Sequence, residues 1–466
     1  MAKQKEEELA ELLWTAAVER KLRPRGPGEP WVYGWCSPAH RHSPAAVIPF
    51  DKTRVVRFSK RGVKAIESAV ERLLKQASFQ KLWHEEEIWG VVASMIATLP
   101  IGEDEQRVRD ALANRLERLT SPGPTVVVFP VAHVAWKGPP CVIGPAVLGR
   151  LGDAWMAALR DLYGSPLEIN SSAPSWWEEA AGLKDAPSHD RPVIIGVVVR
   201  SAGKRAHEDA EAVFNGLIEL SLLLAPDLKS RGLLGLRGDV FRPGIRGLRV
   251  DRHALERIGQ TCKPVLSELA AAVYVQSRAT MGTSHHWYGE APWPLEDLLQ
   301  SEERRAAIVE LLAAQGPIGR RFRIAARWYA RAHWSSNEQE AILALGIALE
   351  ALLAESGGGP GAILGERYAL LHSGAKARKQ AYDYFMKKIY EARSAVAHGR
   401  VSDLLEDFHF IRDVAERTAW VANTLNGWVK KLDLKSDEDH RKLFSDLKWG
   451  VKPSGSSSRL DVRTGK

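Results

Sequence analysis

The segment Tyr390-Glu-Ala-Arg393-Ser394-Ala-Val-Ala-His398-Gly399 closes a helical pattern that begins near Ala377. Gly399 is placed as its C-terminal cap, because glycine accepts the left-handed backbone on which helices commonly end. Arg393 and His398 stand five residues apart. At about 100° per residue their side chains diverge by roughly 140°, so an unbroken helix does not aim both at one point. Two arrangements would bring such groups together. The helix could unwind at His398 and turn the imidazole back toward Ser394, or two copies of the segment could meet across a dimer. Chemically the pair suits RNA cleavage without a metal. Histidine titrates near neutral pH and serves as acid or base. Arginine presents a permanently charged planar fork to phosphate oxygens. The same spacing also fits a surface arginine beside a helix-terminal histidine satisfied by the last carbonyls.

Outward from this segment the pattern stays helical. Gln339–Leu353 carries apolar residues at Ala341, Ile342, Leu345, Ala348, Leu349, Leu352 and Leu353, a wide core-facing stripe. Gly357-Gly-Gly-Pro-Gly361 interrupts it, a short helix follows through Glu366–Leu371, and Asp403–Leu432 supplies the last long helix. These elements predict an all-α helical bundle over residues 316–432. A flexible polar tail is expected over 433–466, which contains Pro453-Ser-Gly-Ser-Ser-Ser458. Residues 121–315 read as a mixed α and β region with a sensing or regulatory role. Its short buried strands fall at Thr125–Phe129 and Val193–Arg200, and helices follow at Asp153–Tyr163 and His207–Leu224. Residues 1–120 read as mostly helical around an aromatic, Pro/Gly-rich loop from Arg23 to Phe50. The expected class is α+β overall, a mixed α/β N-terminal region followed by a C-terminal all-α bundle.

Three blocks of the helical region are Ala348-Leu-Glu350-Ala-Leu-Leu353, Glu366-Arg367-Tyr-Ala-Leu-Leu371, and Ile389-Tyr390 through His398-Gly399. In this order and spacing, Gly319–Lys431 resembles the Apea-like HEPN family. The resemblance implies a four- or five-helix bundle that dimerises and acts as a metal-independent endoribonuclease. Such domains occur in prokaryotic toxin, abortive-infection and phage-defence systems. Carried onto this chain, Arg393 and His398 are the catalytic pair. Ser394 falls where many family members have Asn, Asp or His, and it takes a supporting role with Tyr390. Glu350 and Arg367 match further polar positions, read physically as an ion pair between helices that holds Arg393 in place. The implied reaction is 2′-OH attack, leaving 2′,3′-cyclic phosphate and 5′-OH ends, with no metal and no cofactor. The competing reading is a non-catalytic HEPN dimerisation or interaction module attached to a trigger- or ligand-sensing N-terminal region.

Composition narrows the classes. The chain has 466 residues, a length that suits two or three domains. Its 45% hydrophobic content and 16 Trp exclude a disordered or fibrous protein. Cys36, Cys141 and Cys262 form no Cys-x-x-Cys pair, which argues against a disulfide framework and a four-thiolate zinc site. Such usage suits a reducing cytoplasm. No apolar signal core follows the first residues, and the longest apolar runs fall short of the roughly 20 residues needed to cross a bilayer. A cytoplasmic protein without a membrane partner is expected. Cys36-x-x-x-His40-x-His42 and His285-His286-Trp287 read as loops with incidental histidines, and Trp176-Trp177 as packing. Walker-type loops, Gly-x-Ser-x-Gly elbows and His-Glu-x-x-His helices do not occur.

The formal charge is +8, and Gly319–Lys431 holds 17 Lys/Arg against 12 Asp/Glu, so most of the surplus lies in the helical quarter. Arg320, Arg321, Arg323, Arg327 and Arg331 crowd its beginning. Lys376, Arg378, Lys379, Lys387 and Lys388 precede the Arg/His motif and are the candidate nucleic-acid contacts. Solvated helix faces produce the same pattern. RNA, with tRNA among the candidates, and a second copy of the chain are the expected partners.

Overall fold

The computed structural model describes residues 2–24, 47–49, 54–101, 104–120, 125–132, 136–150, 152–163, 193–225, 244–245, 273–274, 299, 301–333, 335, 337–354 and 361–451. It is α+β, with small sheets formed by strands between Arg20 and Tyr274 and a helical C-terminal region. The loop from Arg23 to Phe50 lies largely outside the described residues. So do Gly232–Gly247 apart from a two-residue strand, Cys36, His40, His42, Trp176, Trp177, His285 and His286. Two compact units divide the chain. The first comprises Met1–Val131, Pro139–Ala212 and Ile245–His285; the second comprises Ala132–Gly138, Val213–Gly244 and His286–Lys466.

The first unit gathers α1 (Ala2–Val18), α2 (Lys60–Leu74), α3 (Ala77–Gln80), α4 (Glu85–Ala97) and α5 (Glu105–Thr120). In α2 the Ser59 hydroxyl accepts the Gly62 N–H at 3.2 Å, and Val63, Ile66, Val70 and Leu73 recur at helical spacing. They join Leu13, Trp89, Ile96 and Leu112 in one core. Gln76 adopts an extended backbone, which separates α2 from α3. A three-stranded antiparallel sheet, β1 (Arg20–Pro24), β2 (Val47–Pro49) and β3 (Arg54–Phe58) in the order β1-β3-β2, was not legible in the sequence. The Arg-Val-Val-Arg-Phe of β3 is short and breaks strict alternation at Val55-Val56, so it does not stand out.

The strands expected at Thr125 and Val193 are present as β4 (Thr125–Ala132) and β7 (Val193–Val199), paired antiparallel from Thr125↔Val199 to Val131↔Val193. With β5 (Cys141–Ile143), β6 (Ala146–Arg150) and β8 (Gly244–Ile245) the order is β5-β6-β7-β4-β8, and β9 (Val273–Tyr274) pairs with β4. Trp155 of α6 (Asp153–Tyr163) covers β7 at Gly196, and its indole N–H donates to the Val147 carbonyl at 3.1 Å. The next helix, α7, runs from Gly203 to Leu223.

The second unit holds α8 (Glu302–Ala313), α9 (Pro317–His333), α10 (Glu338–Leu353) and α11 (Gly361–Leu370). A single long helix follows, α12 (Ala375–Tyr384), a π-helical stretch (Phe385–Tyr390) and α13 (Glu391–Ala397), then α14 (Phe408–Leu432) and α15 (Asp437–Trp449). Ala381, Phe385 and Ile389 are buried at intervals of four. An α-helix rotates such a stripe by about 40° per step, and the wider π turn keeps it facing the core. The last helix corrects the expectation of a tail from residue 433. Ser436 and Asp439 form a capping box, Asp437 and Glu438 favour the helix N-terminus, and His440, Leu443 and Phe444 are buried. Among the described residues no helix is long and apolar enough to cross a membrane.

Candidate functional site

The Arg/His segment ends as its glycine dictates. Gly399 takes φ +69°, its N–H bonds the Val396 carbonyl at 2.9 Å, and the Arg400 N–H bonds the Ala395 carbonyl at 2.8 Å. These two bonds make a Schellman cap, with His398 as the last half-helical residue. The helix stays wound through Ala397, so His398 does not fold back toward Ser394. Its imidazole is exposed and has no hydrogen bond or ion pair among the described residues. The Ser394 carbonyl accepts the His398 N–H at 3.1 Å.

Arg393 turns toward α10. Its Nη2 lies 2.8 Å from Glu350 Oε1, with the two side chains 24% and 32% exposed. The stem passes over Gly346, one turn earlier on α10. A Cβ at that position would fall 2.8 Å from Arg393 Nε and closer still to Cδ. Nε is buried and without a hydrogen-bond partner. Tyr390 lies against Gly361 at the start of α11, where a Cβ would meet its Cδ2 at 2.7 Å. Two glycines thus set how closely this helix crosses its neighbours. Gly361 ends the Gly357–Gly361 break in the sequence, which says nothing of this contact. Gly346 was detectable as a lone glycine in a Leu/Ala-rich helix, where it costs about 1 kcal/mol relative to Ala and calls for a packing reason.

The ion pair expected between Glu350 and Arg367 is corrected: Glu350 pairs with Arg393. Arg367 is 6% exposed, donates to the Leu353 carbonyl at 2.8 Å and lies over the Phe444 ring. It belongs to a set of side chains that satisfy the last carbonyls of α10. Arg321 Nη1 donates to Ala354 at 2.5 Å and more weakly to Ala351 at 3.3 Å, while its Nε and Nη2 hold Asp437. His440 Nε2 donates to Leu352 at 2.9 Å. Burial, then nearby Arg321, lowers the His440 pKa to about 4. The four carbonyls that a helix end leaves free are all met by side chains.

The basic residues sort in the same way. Arg323 donates to the Leu311 and Ala314 carbonyls that end α8. Arg378 donates to His372 at 3.0 Å and to Leu447 at 3.4 Å, so part of its guanidinium serves the fold. Lys387 forms an exposed pair with Asp383 at 3.7 Å. Lys376, Lys379 and Lys388 are exposed, with no ion pair among the described residues. A separate network fixes α12. Arg417 stacks on Tyr384 at 4.0 Å, bonds Asp413 at 2.9 Å and reaches the Tyr368 hydroxyl at 3.3 Å, and the Tyr384 hydroxyl donates to Asp413. Burial, reinforced by that bond, pushes the Tyr384 phenol well above its ordinary range. Among the described residues no group of three or more His, Cys, Asp or Glu side chains could hold a metal ion.

Arg393 and Glu350 therefore form a braced cation, and His398 an exposed acid/base one and a half turns further along. The braced arginine is partly exposed and can meet a phosphate there. Compared with known proteins, the chain matches no family model, and neither a curated protein nor a solved structure shows significant similarity to it.

Proposed function

We propose that the C-terminal helical region is a HEPN-type endoribonuclease that cleaves RNA without a metal and acts as a toxin or phage-defence effector. The observation that carries this reading is the bracing of Arg393. Glu350 fixes the guanidinium, Gly346 admits its stem, and a Schellman cap leaves His398 unencumbered at the helix end. Because Arg393 and His398 leave their helix in different directions, the working site is composite. A second copy supplies His398 opposite Arg393, which makes the active species a homodimer.

In this mechanism His398 takes the 2′-OH proton and the 2′ oxygen attacks the adjacent phosphorus. The bond to the 5′ oxygen breaks, and that oxygen leaves with a proton delivered by the second histidine of the dimer. Arg393 stabilises the charge that gathers on the phosphorane. The products are a 2′,3′-cyclic phosphate and a 5′-OH. The N-terminal unit restrains or triggers the nuclease, since unregulated cleavage would harm the host cell.

The test is incubation of wild type, Arg393→Ala and His398→Ala with total RNA in EDTA. Cleavage that persists in EDTA and is lost in both variants is the expected result. Cleavage lost only on chelation would sink the metal-free mechanism. Intact RNA in all three, with the wild type dimeric, would favour the non-catalytic interaction module.

A further inference from the structure

A groove of about 460 Å³ opens between α11 and α12, lined by Ile363, Glu366, Leu370, Arg378, Lys379 and Tyr382 among others. Two apolar side chains stand out of it, Ile363 and Tyr382, each 37% exposed. The end of α15 adjoins it. Lys448 Nζ lies 2.8 Å from Glu366 Oε1, and Arg378 reaches the Leu447 carbonyl. The next residue, Trp449, is 74% exposed, the most open aromatic side chain among the described residues. A soluble helical domain gains nothing from leaving an indole and a phenol in water beside an apolar groove.

Positive charge prevails along the groove, although Asp383, paired with Lys387 at 3.7 Å, follows Tyr382 and Asp446 lies one turn before Trp449. The groove's carboxylate, Glu366, is neutralised by Lys448. Arg378 keeps its charge while bonding carbonyls, and Lys376 and Lys379 carry no ion pair among the described residues. Flat rings interleaved with unpaired cations match the chemistry of a single nucleic-acid strand. Bases stack on the rings whatever their sequence, and phosphates follow the cations. A duplex hides its base faces and could use only the cations. Tyr382 also stands eleven residues before Arg393 on the same continuous helix, about 16 Å along the axis.

We propose that this groove binds a single-stranded segment of RNA, with bases stacked on Tyr382 and Trp449 and phosphates on Lys376, Arg378 and Lys379. The choice of RNA over another polyanion rests on the nuclease reading; the preference for an unpaired strand rests on the groove. It adds a substrate class, RNA with an unpaired stretch flanking the cleaved bond.

The experiment measures binding of a fluorescein-labelled 2′-O-methyl 12-mer, which lacks the attacking hydroxyl, to the full chain by anisotropy. Single-stranded and duplex probes are compared at several salt concentrations. Trp449→Ala is the principal variant, because its ring is exposed and its loss leaves the core intact. It is expected to weaken single-strand binding about tenfold and duplex binding little. The double variant Lys376→Ala/Lys379→Ala is expected to flatten the salt dependence. The probe cannot be cleaved, so its binding is read independently of activity, and a failure of the nuclease reading would leave this result standing. Equal binding of both probes, or wild-type affinity in Trp449→Ala, would overturn the proposal. So would equal displacement by poly-glutamate regardless of Trp449, or a change in oligomeric mass in that variant without a change in binding. The last two outcomes would assign the groove to an acidic peptide or to a second copy of the chain.

Discussion

Two adjoining stretches at the end of α10 treat arginine in opposite ways. At the C-terminal end, Ala351, Leu352, Leu353 and Ala354 offer carbonyls, and Arg321, Arg367 and His440 converge to satisfy them. At Gly346 and Glu350 the helix instead meets Arg393 with a gap in its side chains and one carboxylate. The first arrangement closes a helix end and uses its donors on the backbone. The second restrains a cation, and leaves its Nε without a partner. The N-terminal unit repeats the first pattern. Arg20 reaches the Ile96, Leu99 and Pro100 carbonyls and Arg115 those of Met95 and Thr98, at the end of α4. Burial, then the neighbouring Arg115, lowers the Arg20 pKa to about 10. An arginine saturated by carbonyls serves the fold. One held by a single carboxylate and still partly exposed can also meet a ligand.

The sharpest way to break this contrast is a reciprocal pair of variants. Arg393→Ala should lower RNA cleavage by roughly 10²–10³-fold, the range for removing a group that stabilises transition-state charge, and leave the thermal midpoint nearly unchanged. Arg367→Ala should do the reverse, costing about 2–3 kcal/mol of unfolding free energy through a lost charge-assisted bond and an abandoned carbonyl. Single-turnover cleavage and urea unfolding on both proteins decide it. If Arg367→Ala proved stable but inactive, the family-like reading of Arg367 as a site residue would return.

The histidines extend the comparison to pH. His440 is buried and donates to Leu352, with its pKa lowered from 6.5 to about 4, whereas His398 is exposed. Above pH 6.5 both folded and unfolded His440 are neutral and its full contribution is present. Between pH 6.5 and about 4 the unfolded state takes up a proton that the folded state refuses, so stability falls with pH. The loss approaches about 3 kcal/mol once both states are protonated. His440→Gln keeps a neutral donor. Its urea-unfolding free energy should therefore decline less than that of wild type between pH 7 and pH 4.5. Parallel profiles would show that His440 does not carry this dependence.

Much of the helical region was legible because its signals are local. The stripe of α10, the cap at Gly399 and the strands at Thr125 and Val193 each follow from residues within a few positions of one another. The role of Arg367 was not, because what decides it is the carbonyl of Leu353, fourteen residues away and invisible to any side-chain pattern. Helix α15 was missed for a related reason. Its Asp/Lys-rich sequence has little apolar content, and it is held by the Ser436 capping box and by His440, Leu443 and Phe444 docking on distant helices. At the candidate site, Arg393, His398 and Glu350 were read from spacing and resemblance. Their actual pairing depends on where α13 crosses α10, which the π-helical stretch Phe385–Tyr390 adjusts by changing the helical phase.

That crossing makes Gly346 the most discriminating of the smaller changes. In a helix interior Gly→Ala ordinarily adds about 1 kcal/mol of stability through helix propensity. Here the new methyl group would contact the Arg393 stem, 2.8 Å from Nε, so that stem must move. Moving it also loosens the guanidinium from Glu350, because both contacts lie on one face of α10, four residues apart. The expected outcome for Gly346→Ala is a thermal midpoint within a few degrees of wild type with cleavage reduced about tenfold, the scale on which misplacing a charged group acts. Glu350→Gln, which keeps the slot and removes only the carboxylate charge, should fall in the same range. If Gly346→Ala lost stability in proportion to activity, the slot would be packing for the fold alone, and Arg393 would join Arg321 and Arg367 on the structural side of α10. If activity fell while the fold held, a glycine that touches no substrate would be positioning the cation that does.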